Sequence, residues 1–162
     1  MQPYTTFQET ALLVLRLIVA AIFLDAGYAK WSFWSTAPEG VPAGMVSLLK
    51  FLSIVEPLGG VALGVGFLTR WAAAGLAIIM VGAIFIMQFT MQVGFSTPQG
   101  PGWEFPLIIL GSCIALMAFG AGSWSVDAIE EGVRTFFVGR ILDLRENTRY
   151  HRVIHSPAHH AL

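Results

Sequence analysis

Four apolar runs, at about residues 10–34, 47–68, 71–93 and 103–121, constrain this chain more than any motif within it. Each is close to the ~20 residues that cross a hydrocarbon core at 1.5 Å per residue, and in lipid an isolated segment satisfies its own backbone only as a helix. Of the 162 residues 56% are hydrophobic and 12% charged, with mean hydropathy +0.70, whereas soluble domains carry about 25% charged residues. The expected fold is all-α: an integral membrane four-helix bundle over residues 1–124, then a C-terminal amphipathic cytoplasmic helix and polar tail over 125–162. The first run reads as a retained helix, because no Lys or Arg precedes Arg16, and Arg16 and Asp25 interrupt it, which does not suit a secretory leader.

The connectors support the division. SFWSTAPEGVPAG and GFSTPQGPGW carry the Gly, Pro and Ser that end helices, and Leu68-Thr69-Arg70 makes the middle turn short enough to force antiparallel neighbours. Trp31, Trp34 and Trp103 fall at one boundary and Trp71 and Trp124 at the other, where indole rings prefer to sit. Arg70, Arg134, Arg140, Arg145, Arg149 and Arg152 share the side of the two termini, against Lys30 and Lys50 opposite. The positive-inside rule therefore puts both termini in the cytoplasm. After Asp127, Ile129, Val133, Phe136 or Phe137, Ile141 and Leu144 recur at helical spacing among Glu130, Glu131, Arg134, Arg140 and Arg145, the pattern of a helix lying on an interface or against a partner subunit.

Several function classes drop out. A net charge of -1 without a basic, aromatic-interleaved face gives no nucleic-acid surface. The single cysteine, Cys113, lies in an apolar run, so no thiol pair or cysteine cluster forms within one chain. All four histidines, His151, His155, His159 and His160, are in the tail, so one chain cannot build an intramembrane bis-histidine haem. His151 and His155 lack a completing ligand, so no metal site is expected. GGVALGVG lies inside a span and is not a nucleotide loop.

The residues a span avoids are the informative ones, because an ionisable group at the bilayer centre costs about 2.5–3.5 kcal/mol even on the lenient insertion scale. They are expected to face the bundle interior. Asp25 lies six residues before Trp31, about 9 Å below the boundary, and Glu56 nine residues after Ser47, about 13 Å in. With Ser53 and Gly60 on the Glu56 stripe, Gln88 and Gln92 on one face of the third span, Tyr28 and Lys30 near the mouth and Glu104 opening the fourth, the outer half is expected to hold one polar cluster. A binding pocket and hydrogen-bonded glue between helices both fit it. Arg16 and Asp25 lie on opposite faces of one helix. Asp127 is therefore the expected counter-ion of Arg16, with Arg70 competing for it, in a structural set at the inner end.

LLVLRLIVAAIFLDAGYAKW, VEPLGGVALGVGFLTR, GWEFPLIILGS and GAGSWSVD, in that order between Leu12 and Asp127, resemble the DoxX family of small bacterial and archaeal four-helix membrane proteins. The resemblance implies an inner (cytoplasmic) membrane location and association with membrane oxidoreductase systems, including quinone-linked ones. It puts the family's polar positions on Arg16, Lys30, Glu56, Arg70, Glu104 and Asp127, with Gly59, Gly60 and Ser125, while Asp25 and Gln88 depart from the residues usual there. The resulting expectation is an accessory subunit of a quinone-linked oxidoreductase, carrying no cofactor of its own. A quinone head group would meet Asp25, Tyr28, Lys30, Glu56, Gln88 and Glu104, and the partners would be the bilayer and a membrane or peripheral oxidoreductase subunit, or a second copy. The alternatives are a non-catalytic scaffold or assembly subunit and a carrier for a small lipophilic solute.

Overall fold

The structure, a computed structural model, describes residues 5–36, 40–98, 100–137 and 140. The chain divides into two compact units, Met1–Asp127 and Ala128–Leu162. The first is an all-helical membrane bundle. Helix α1 spans Thr6–Ala29, a short α2 Ser32–Ser35, α3 Ala43–Val65, α4 Thr69–Phe85 with a π-helical extension Ile86–Thr90, and α5 Glu104–Phe119. The segments Thr6–Ser35, Ala43–Val65 and Thr69–Thr90 are long and apolar enough to cross a membrane, and α5 is a shorter apolar helix of 16 residues. At 1.5 Å per residue α5 is about 24 Å long, short of the ~30 Å hydrocarbon core.

Consecutive long helices pack side by side, α1 on α3, α3 on α4 and α4 on α5, and α5 returns to α1. The α1–α3 and α4–α5 pairs are the closest. Small residues explain the first pair: a Cβ on Gly27 would overlap the ring of Pro57, and one on Gly60 would stand 3.0 Å from the Ala20 carbonyl oxygen. Without hydrophobic drive in lipid, close backbone approach of this kind holds helices together. Gly111, on α5, has open space where its side chain would be. The core is built from Leu12, Val19, Phe23, Leu63, Leu76, Met80, Ile109, Cys113 and Leu116. Leu58, Ile78 and Ile108 are among the large apolar side chains left exposed, which in a membrane bundle places them against lipid.

Local chemistry sets the helix ends. Thr5 and Gln8 form a capping box at the start of α1. Helix α3 ends at Gly66, whose φ of 72° is the left-handed conformation that glycine adopts without steric cost. Leu68 is also left-handed, at φ 47°, a strained state for a side-chain-bearing residue. Between α4 and α5, Phe95 and Trp103 meet edge to face at 4.7 Å, and Trp103 N–H donates to the Gly94 carbonyl at 3.4 Å.

In the second unit, residues 128–137 are helical, Thr135 donates to the Glu131 carbonyl at 2.8 Å, and Ile129, Val133, Phe136 and Phe137 are exposed. Ile141, Leu144, Arg145, Arg149, Arg152 and the four histidines lie outside the described residues.

Candidate functional site

The polar residues gather at the two ends of the bundle, and the ends are built differently. At the first, Arg16 projects from the middle of α1 and is 1% exposed. Its guanidinium donates to the carbonyls of Ala121, of Trp124 at 2.9 Å and of Gly64 at 3.3 Å. Gly64 belongs to the last turn of α3, and Ala121 and Trp124 to the irregular segment after α5. The cation therefore sits where two helix C-termini present unpaired carbonyls and the negative ends of their dipoles. It supplies the donors that non-helical backbone needs at membrane depth.

Asp127 complements it with the opposite sign. Its carboxylate accepts the N–H of Leu68 at 2.7 Å and of Thr69 at 2.9 Å, capping α4, while its own N–H donates to the Gly66 carbonyl at 2.9 Å. These bonds hold the left-handed Leu68 in place and bind the chain after α5 to the α3–α4 turn, so the first unit extends through Asp127, beyond the boundary expected at Trp124.

The expected Arg16–Asp127 ion pair is not formed: among the described residues the one ion pair is elsewhere. Each charge goes to backbone instead, because a short apolar bundle leaves helix termini with no other partner. Arg70 does not compete for Asp127 either. It is exposed, with its guanidinium 3.4 Å from where a Gly120 side chain would begin. Ser125, on the same segment, donates to the Gly122 carbonyl at 2.7 Å.

The opposite end carries the ion pair. Lys30, the C-cap of α1, places Nζ 2.6 Å from Oε2 of Glu56 on α3 and donates also to the Ala26 carbonyl at 3.0 Å. Glu56 is 3% exposed on its side chain and Lys30 22%. One turn away on α3, Ser53 forms a second node. Trp31 donates its indole N–H to the Ser53 carbonyl at 3.2 Å, Trp34 to the Ser53 hydroxyl at 2.9 Å, and that hydroxyl donates to the Lys50 carbonyl at 2.7 Å. The Lys50 ammonium lies 5.5 Å over the Trp34 ring, within cation–π range.

Pro57 accounts for part of this arrangement. Proline has no N–H, so in a helix the carbonyl four residues earlier loses its partner. Here that carbonyl belongs to Ser53, and Trp31 supplies the missing donor. The ring of Pro57 also fills the notch left by Gly27, setting α1 against α3 at the level where Lys30 meets Glu56.

The other expected members of this cluster are placed differently. Asp25 and Tyr28 are exposed, and neither side chain makes a hydrogen bond or ion pair among the described residues. Lys30 takes Glu56, not Asp25, as its counter-ion. Gln88 is half-buried on the π-helical extension without a hydrogen bond of its side chain, and Gln92 is exposed at φ 52°. Glu104 opens α5 with Oε2 buried and without a hydrogen-bond partner. The helix N-terminus favours a negative group there. Gly59 and Gly60 serve packing, Gly59 against Leu76 and Gly60 against Ala20 and Phe23.

Trp31, Trp34, Pro57 and Gly27 entered the sequence reading only as boundary markers or not at all. The proline inside a span was the available signal, since it orphans a carbonyl at a known position. Among the described residues no group of three or more His, Cys, Asp or Glu is placed to hold a metal ion.

The DoxX family model matches residues 11–88, which run from α1 into the π-helical extension. The match stops short of GWEFPLIILGS and GAGSWSVD, which were expected to continue the resemblance. No curated protein and no solved structure gives a match to the chain.

Proposed function

Starting from a membrane protein with a DoxX domain over residues 11–88, we propose that it is an accessory subunit of a quinone-linked oxidoreductase, presenting a quinone head-group site at the Lys30–Glu56 end. One observation carries this reading. An ammonium has three donors, and Lys30 spends two, on Glu56 and the Ala26 carbonyl, while remaining 22% exposed. The third donor is free for a ligand carbonyl, and the indoles of Trp31 and Trp34 beside it offer flat apolar surface. Lys30 would donate to one quinone oxygen. Glu56 would hold the ammonium in place. The redox cofactor would belong to the partner, and the basic bias of the sequence supports cytoplasmic termini in an inner membrane.

The test is titration of the full chain in lipid nanodiscs with a short-chain ubiquinone analogue, read by quenching of indole fluorescence. Saturable quenching that is abolished by Lys30→Met and retained by Asp25→Asn is expected. Quenching that never saturates, or is indifferent to Lys30→Met, overturns the reading.

A scaffold role is favoured by the completeness of the Ser53 node, whose hydroxyl and carbonyl are both engaged within the chain. On that reading Glu56→Gln leaves function intact and removal of residues 128–162 releases the partner.

A further inference from the structure

The outward face of α1 carries a feature that the Lys30–Glu56 site does not use. Val14, Ile18, Ala21, Asp25 and Tyr28 are all exposed and succeed one another at steps of four and three. That is the 3.5-residue spacing of a seam between two helices winding round each other. The stripe includes a carboxyl group inside an apolar span, six residues or about 9 Å below Trp31. An aspartate side chain is too short to reach the boundary from there, unlike the long Lys and Arg side chains that extend to it. One turn on, Tyr28 is 74% exposed, and its hydroxyl has no hydrogen bond among the described residues, its ring meeting only that of Trp31 at 6.4 Å. Lipid offers the Asp25 carboxyl no partner.

We propose that this stripe is the interface of a parallel homodimer, with the second copy's α1 as its occupant. The bilayer itself supplies the argument. Two copies inserted in the same orientation hold residue 25 at one depth, and a two-fold axis along the membrane normal then brings the stripe against itself. Each Asp25 carboxyl meets the Tyr28 hydroxyl of the other copy, so the surface carries both the acceptor and the donor that it lacks alone. Ala21, one turn below, is small enough to let the two backbones approach. The interface leaves Lys30 and Glu56 within each copy and does not depend on what they bind.

Variants of the full chain with one cysteine introduced, at Ile18, Ala21 or Tyr28, reconstituted at low protein-to-lipid ratio in phosphatidylcholine–phosphatidylglycerol vesicles, test it under mild oxidation. Ile78→Cys, on the exposed side of α4, is the control, and Cys113 is buried in the core. Disulfide-linked dimers are expected at the three stripe positions and not at Ile78. In energy transfer between labelled copies, Asp25→Ala should weaken association roughly tenfold, the equivalent of two interhelical hydrogen bonds at ~0.6 kcal/mol each. Cross-linking at Ile78 as strong as at the stripe overturns the proposal. So does association unchanged by Asp25→Ala, or a chain that stays monomeric at every lipid ratio, the result expected if a different, cationic helix covers Asp25.

Discussion

The two ends of the bundle solve one problem, charge inside a membrane, in opposite ways. At the Arg16 end the charges of Arg16 and Asp127 are both spent on backbone: a guanidinium on three carbonyls and a carboxylate on two N–H groups. At the Lys30 end the charges are spent on each other, and the backbone is served by indoles. The first arrangement is closed, because its partners cannot rotate away or be replaced by a ligand. The second can open, because an ammonium that is partly exposed can exchange one acceptor for another. A site for chemistry belongs at the second end, and the first is what holds the bundle together.

The comparison breaks most visibly at Arg16. Arg16→Met strands the carbonyls of Gly64, Ala121 and Trp124 where water is scarce, and the expected loss is about 4 kcal/mol, since each buried orphaned group costs ~1–3 kcal/mol. Unfolding of the purified chain by sodium dodecyl sulfate in mixed micelles measures it. Arg16→Lys should recover only part, because a point charge cannot reach two backbone segments as a planar fork does. Exchanging the charges, Arg16→Asp with Asp127→Arg, should rescue nothing. Rescue would mean that the two side chains are partners after all, and the contrast between the ends would be lost.

At the Lys30 end the single substitutions should be unequal. Lys30→Met leaves Glu56, 3% exposed, without its cation, and breaking a pair from the buried side costs about 3 kcal/mol. Glu56→Leu leaves an ammonium that can turn toward the interface, and should cost about half as much, as a partly screened charge does. Replacing both should restore most of the stability, because well-packed apolar residues substitute for a buried pair at little cost. The same unfolding titration reads all three variants. Equal single losses would show that the pair is as closed as the Arg16 end.

How much of this could be read in advance follows from the kind of information involved. The helices were legible because apolar run length is a one-dimensional property: α1, α3 and α4, each long enough to cross, fall where the first three runs lie, and the shorter α5 falls within the fourth. That Glu56 and Arg16 would be buried polar groups followed from the cost of charge in lipid. Their partners did not follow. Sequence names side chains, whereas Arg16 and Asp127 bond to carbonyls and N–H groups exposed only because α3, α4 and α5 end where they do. Asp25 was misjudged for a related reason. The rule that ionisable residues face inward holds for an assembled membrane protein, and in one copy of this chain Asp25 faces out. Glu56 and Asp25 share a depth, but depth fixes a level in the membrane and leaves the direction round the helix open.

The smallest effect separates local backbone chemistry from the ion pair beside it. Trp31→Phe removes the donor to the Ser53 carbonyl while keeping an aromatic ring at the boundary, and should cost about 1 kcal/mol, the worth of one hydrogen bond. Pro57→Ala restores the helical N–H that this carbonyl lacks, so in its presence the indole becomes redundant. In the Pro57→Ala background Trp31→Phe should therefore cost close to nothing, and the double-mutant cycle should show a coupling of about 1 kcal/mol between residues that share one acceptor. Equal costs in the two backgrounds would mean that Trp31 is held by the interface alone. Placement of Lys30 over Glu56 would then rest on the Gly27–Pro57 contact by itself, and Gly27→Ala would become the variant that most disturbs the Lys30 end.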